Sequence, residues 1–164
     1  MKVLLLNGSP RKNGCTYTAL NVVADALKAE GIDAEVFQAG DPDMENVKAA
    51  AAKLKDSDAL VVGSPVYWAS PSGQIIEFMD RLASVAGKDM LYKPAAAVAS
   101  ARRAGTTATL DVLTKYFSYH QMPVVSSCYW NMVHGNTPEE VMKDEEGVQI
   151  MRVPVSYTHL RAHE

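Results

Sequence analysis

A chain of 164 residues with 48% hydrophobic and 21% charged residues has the length and balance of one soluble globular domain. Its formal net charge of −3, with Lys and Arg scattered, gives no basic field for a polyanion, so nucleic acid is not an expected partner. Two cysteines, Cys15 and Cys128, far apart and without CxxC spacing, supply neither a disulfide framework nor a structural zinc site, and a reducing cytoplasm is the expected setting. The leading apolar run is far too short to cross a bilayer and meets Asn7-Gly8 instead of a cleavage site, so no membrane or export role is expected.

Val3 to Leu6 is a continuous apolar run closed by Gly8-Ser9-Pro10, the pattern of a strand buried on both faces. From Thr16 the period changes: Leu20, Val23, Ala24 and Leu27 recur at helical steps until Gly31. The alternation then repeats, with a strand at Ala34 to Phe37, a helix at Met44 to Lys55 and a buried strand at Asp58 to Val62 that runs into Gly63-Ser64-Pro65. Ser70-Pro71 is expected to cap and open a third helix with the stripe Ile75, Ile76, Met79 and Leu82. Lys93 to Ser100 reads as a fourth strand, Gly105 to Tyr119 as a fourth helix and Pro123 to Ser127 as a fifth strand.

Thr137-Pro138-Glu139-Glu140 fits a capping box for a fifth helix carrying Val141, Val148, Ile150 and Met151. That pattern breaks at Pro154, and Val155 to Glu164 has neither helical period nor cap; residues 153–164 read as a non-native tail behind a domain of residues 1–152. His159 and His163 fall in this tail without a third ligand, so no metal site is expected. Regular strand–helix alternation predicts an α/β fold: one doubly wound, five-stranded parallel sheet in the order 2-1-3-4-5, covered by helices on both faces.

In that order the first and third strands flank the switch point where ligands bind. The segment Gly8-Ser9-Pro10-Arg11-Lys12-Asn13-Gly14-Cys15-Thr16 joins the carboxyl end of the first strand to a helix N-terminus. Outward N–H groups, the helix dipole, the hydroxyls of Ser9, Thr16 and Thr18 and the Arg11 side chain suit an anion there. Five residues separate Gly8 from Gly14 and Cys15 follows, which is not the spacing of a nucleoside-triphosphatase loop; GxGxxG is also absent. A phosphatase loop built on Cys15 would need a nearby following Arg, and the next is Arg81. A monophosphate ester remains.

The loop after the third strand, Gly63 to Gln74, presents Tyr67 and Trp68 as flat apolar surface that either stacks on a ring or plugs the sheet end. Ser100 to Thr107, after the fourth strand, carries Arg102 and Arg103, which either face a reduced ring or nicotinamide phosphate or are simply solvated. Tyr129 to Asn136 either reaches the ring or packs at a subunit interface. His120 reads as a helix-end residue and Asp80-Arg81 as a helix-surface or interface pair.

Gly8-Ser9-Pro10-Arg11 with Gly14 and Thr16, Gly63-Ser64-Pro65-Val66-Tyr67-Trp68, and Phe78-Met79-Asp80-Arg81 together resemble the NADPH-dependent FMN reductase-like branch of the flavodoxin superfamily, over residues 1 to 152. The resemblance implies that Ser9, Arg11, Thr16 and neighbouring residues Asn13, Gly14 and Cys15 hold the FMN phosphate. Pro65, Val66, Tyr67 and Trp68 would line the isoalloxazine, and Ser100, Arg102 and Gly105 would approach it from the next loop. It implies an oxidoreductase that takes hydride from NAD(P)H and passes electrons to a flavin, quinone or other small acceptor, and a homodimer or homotetramer. A flavodoxin-like electron carrier without a substrate of its own is the alternative. Members of this type often carry a cysteine-bearing insertion after the second strand; here Gln38 to Asp43 runs straight into the helix, which excludes an iron–sulfur cluster.

Overall fold

The computed structural model describes residues 1–153; the expected tail from residue 154 on, with His159 and His163, lies outside the described residues. Five strands form the parallel sheet: β1 (Lys2–Asn7), β2 (Asp33–Gln38), β3 (Ala59–Tyr67), β5 (Ala95–Ala101) and β6 (Met132–His134). A two-residue strand, β4 (Ser70–Pro71), pairs antiparallel with the end of β3. The order β2-β1-β3-β5-β6 is the expected doubly wound one, with β4 as an addition off the path. Six helices are described: α1 (Cys15–Ala29), α2 (Met44–Lys55), α3 (Gly73–Met90), α4 (Thr106–Tyr119), α5 (Pro138–Val141) and α6 (Glu145–Arg152).

Strands flanked on both sides bury both faces, which is why β1 and β3 read as unbroken apolar runs. Leu4, Leu6, Leu60 and Val62 pack with Ile75, Phe78, Leu113 and Phe117 on one face of the sheet. Val3, Leu5, Val61 and Val98 pack with Leu20, Val23, Leu27 and Met151 on the other. In β5, Ala95-Ala96-Ala97-Val98-Ala99 supplies small side chains to both of these layers.

Four boundaries differ from expectation. β3 continues past Val62 through Gly63-Ser64-Pro65, which pair with β5, and ends only at Tyr67. The cap of α3 is Ser72, whose Oγ accepts from Ile75 N at 3.3 Å; Ser70 and Pro71 are taken by the β4 pairing. The fifth strand does not run from Pro123 to Ser127. That segment makes one bridge, Val124 to Ala95, and then leaves the edge, with Ser127 Oγ donating to Ile150 O at 2.8 Å on α6. The ladder resumes only at Met132, so Tyr129-Trp130 precedes the edge strand instead of following it. Finally, the last helix is two helices, because Asp144 caps a new one. Its Oδ1 accepts from Gly147 N at 3.0 Å and its Oδ2 from His134 N at 2.7 Å. The Thr137 cap itself is present, with Oγ1 accepting from Glu140 N at 3.3 Å.

The β3–β4 hairpin turns on Trp68 and Ala69, both left-handed at φ 52° and 55°. Positive φ at both central residues is the signature of a tight turn matched to strand twist, and it normally takes Asn or Gly. An L-residue there carries steric strain of about 1 kcal/mol. Ala69→Gly is expected to raise the unfolding midpoint, with a net gain of about 0.5 kcal/mol after the entropy cost of glycine; chemical denaturation of the two proteins checks it.

Candidate functional site

The sheet order places the loops after β1, β3 and β5 side by side at its carboxyl edge, on either side of the point where the winding reverses. Direct contacts join them. Gly8 N donates to Gly63 O at 2.8 Å, and Ser72 Oγ donates to Gly8 O at 2.8 Å. Thr16 Oγ1 and Ser100 Oγ, both buried, share a hydrogen bond of 2.8 Å. Gly105, at φ 105°, lies so close under the hairpin that a Cβ there would stand 2.8 Å from Ala69 Cα and 2.9 Å from Val66 Cγ1.

The first loop offers donors. Gly14 is the N-cap of α1 and makes no side-chain cap bond, so the first-turn amides of Cys15, Thr16 and Tyr17 are free of a capping side chain; no acidic residue stands in that turn. Helices α2, α3, α5 and α6 are capped by Asp43, Ser72, Thr137 and Asp144, whereas α4, capped by Gly105, shares the open state of α1. Both open N-termini follow strand ends at the carboxyl edge of the sheet, α1 after β1 and α4 after β5. Ser9 Oγ accepts from Arg11 N at 3.1 Å, which leaves its own hydrogen without a partner among the described residues. Arg11, Lys12 and Asn13 are exposed around this turn. The donor set is that of an anion site, and the residues present fit a phosphate.

Of the three hydroxyls expected at the anion, those of Thr16 and Thr18 are taken within the protein, Thr18 Oγ1 donating to Gly14 O at 3.1 Å. The Thr16 hydroxyl shares its bond with Ser100 and so ties α1 to β5. The Cys15 thiol donates to Gly135 O at 3.6 Å, which brings the loop after β6 against α1. Burial pushes this thiol above its ordinary range, against the pull of the helix backbone and of Arg11, which favours the protonated thiol.

Pro65 and Val66 are half-buried near the end of β3, Tyr67 is partly exposed, and Trp68 is fully exposed at the hairpin tip. Trp68 is therefore no plug for the sheet end. Arg102 and Arg103 are exposed before α4. Tyr129 and Trp130 pack edge to face, with centroids 6.5 Å apart, beside the interrupted sheet edge. His120 caps the C-terminus of α4, with Nδ1 2.7 Å from Tyr116 O. Asp80 accepts from Tyr116 Oη at 2.5 Å, while Arg81 pairs with Glu77 and donates to Pro42 O.

Two residues that the sequence reading did not single out, Asn7 and Gln38, lie paired in register at the ends of β1 and β2. Asn7 is fully buried and its amide bonds into the first loop. The available signal was a polar side chain ending an apolar strand, since a buried amide must find partners.

A family profile for NADPH-dependent FMN reductase matches residues 1–137. The chain belongs to that family. It is an FMN-binding oxidoreductase with the flavodoxin-like fold. An iron–sulfur flavoprotein of Methanocaldococcus jannaschii is 28% identical over 178 residues, covering 93% of this chain and 92% of that protein. An NADPH azoreductase of a Bacillus species is 30% identical over 108 residues, covering 62% and 59%. Among solved structures, the flavodoxin WrbA-like protein of Agrobacterium tumefaciens superposes with a TM-score of 0.75 at 18% identity, covering 99% and 98%. The flavoenzyme FerB of Paracoccus denitrificans superposes at 0.69 and 15%, covering 92% and 96%. The two superpositions speak for the fold.

The name of the first relative includes an iron–sulfur cluster, which takes four cysteine ligands. This sequence has two cysteines, one bonded to Gly135 and one exposed, so its residues do not fit such a cluster. No group of three or more His, Cys, Asp or Glu among the described residues is placed to hold a metal ion, and no described helix is long and apolar enough to cross a membrane.

The Thr16–Ser100 bond gives a clean test of how the loops are joined. Thr16→Val alone strands the Ser100 hydroxyl in the interior and is expected to cost about 1–3 kcal/mol of stability. Thr16→Val with Ser100→Ala removes both partners and should recover most of that loss; a double-mutant cycle in urea measures the difference.

Proposed function

We propose that this protein is an NAD(P)H-dependent flavoprotein reductase whose FMN phosphate is held on the loop between β1 and α1. The observation that carries the reading is the N-terminus of α1, left without a side-chain cap or a first-turn carboxylate at the carboxyl edge of the sheet, where α4 also starts uncapped. In this reading the amides of Asn13, Gly14, Cys15 and Thr16, the Ser9 hydroxyl and the Arg11 guanidinium hold the phosphate dianion. Each is a charge-assisted contact, about twice as strong as a neutral one. Pro65, Val66, Tyr67 and Trp68 wall the ring on one side. Ser100, Arg102 and Gly105 approach it from the other, with Arg102 placing positive charge toward the ring's polar edge. The flavin-binding unit comprises residues 1–152.

Bound FMN would accept hydride from NAD(P)H and pass electrons to a small acceptor such as a flavin or quinone. The protein's part is to fix the phosphate, keep both ring faces in a shaped cleft and admit donor and acceptor in turn. The exposed Tyr67 and Trp68 beside the cleft support a homodimer or homotetramer in which a neighbouring copy covers them.

Anaerobic visible spectra of FMN-loaded protein test the reading. Flavin bands that bleach with NADPH or NADH and return with a quinone are the expected result; bands that persist with both nicotinamides would contradict it. Ser9→Ala is expected to weaken FMN binding by about tenfold, and Arg11→Ala by at least as much, as measured by fluorescence titration.

A further inference from the structure

Asn7 and Gln38 face each other across the β1–β2 ladder. Asn7 Nδ2 has two hydrogens and three acceptors within reach. Gln38 Oε1 lies at 2.7 Å, and the carbonyls of Lys12 and Arg11 at 3.3 and 3.4 Å, so one hydrogen goes to Gln38 and the other is shared by the loop. Asn7 Oδ1 accepts from Ser9 N at 3.3 Å. Gln38 Nε2 in turn donates to Ser9 O at 2.7 Å. The two amides thus take the backbone carbonyls of Ser9, Arg11 and Lys12 from one side.

Across a planar trans peptide the C=O of one residue and the N–H of the next point in opposite directions. Carbonyls of Arg11 and Lys12 drawn onto Asn7 therefore turn the N–H groups of Lys12 and Asn13 away from it, on the outer side of the loop. The loop between β2 and α2 closes the arrangement from below. Asn46 Nδ2 donates to Gln38 O at 3.0 Å and to Asp41 O at 2.8 Å, and a Cβ on Gly40 would stand 2.0 Å from Ser9 O. Only glycine allows that approach.

We infer that Asn7 and Gln38, with Gly40 packed beneath them, are positioning residues for the flavin phosphate: they hold the loop Ser9–Asn13 so that the N–H groups of Lys12 and Asn13, the two in it left without a partner among the described residues, turn toward the anion, and they do not touch it themselves. The inference rests on the phosphate reading above. It also gives the short β2–α2 loop a role here, direct support of the phosphate loop.

Gln38 is only half-buried, so Gln38→Leu keeps its bulk while removing both bonds. The probes are FMN and riboflavin, which lacks the phosphate, each titrated against wild type and variant by flavin fluorescence. The expected result is an FMN dissociation constant about tenfold weaker in Gln38→Leu, with riboflavin unchanged and the apoprotein unfolding midpoint within a few degrees of wild type. Gly40→Ala should act in the same direction on FMN alone. Equal losses for FMN and riboflavin would mean a general structural role and overturn the inference, as would an unchanged FMN constant. A wild-type protein that binds FMN no better than riboflavin would instead overturn the phosphate reading itself, and the inference with it.

Discussion

A glycine-capped helix start, that of α1 at the carboxyl edge of the sheet, is what the rest of this site depends on. A helix N-terminus carries amides with no partner in the helix, and four of the six described helices satisfy some of theirs with an Asp, Ser or Thr side chain. Helices α1 and α4 do not, and the sheet brings their starts to one edge. An anion at α1 restores the missing hydrogen bonds and meets the positive end of the dipole with no carboxylate in the first turn to oppose it. In the proposed reading the phosphate takes over what a capping side chain does elsewhere in the same molecule.

Holding such a loop open requires rigidity behind it. Buried hydroxyls and amides supply this: Thr16 on Ser100, Ser72 on Gly8, Asn7 on Gln38 and the first loop. Each is costly to leave unpaired in the interior, and therefore each fixes a distance between elements. The strained Trp68-Ala69 turn resting on Gly105 belongs to the same design, since a left-handed turn persists only where its surroundings hold it.

Much of this was legible in the chain itself. Continuous apolar runs in β1 and β3 could only be strands buried on both faces, and their alternation with helical periods dictated a parallel sheet and its switch point. The proposed phosphate loop rests on Gly, Ser and a helix start in one stretch, and the structure places that helix start without a capping side chain. What failed was local competition between similar signals. Ser70-Pro71-Ser72 offers two equivalent caps, and only the pairing of Ser70 with Tyr67 decides for Ser72. Pro123 to Ser127 has strand composition, yet the bond from Ser127 to α6 pulls the chain off the edge. Asn7 and Gln38 are unremarkable in sequence, because a contact between residues 31 positions apart exists only once β1 and β2 are paired.

The most direct measurement of the central claim is the phosphorus resonance of FMN bound to the protein, followed from about pH 5 to pH 8. Free FMN titrates there, as a phosphate monoester has a second pKa of about 6. A phosphate held by the open N-terminus of α1, Ser9 and Arg11 stays a dianion, so the account predicts one resonance at the dianion position throughout. A bound resonance that shifts with pH as free FMN does would place the phosphate in solvent and contradict it.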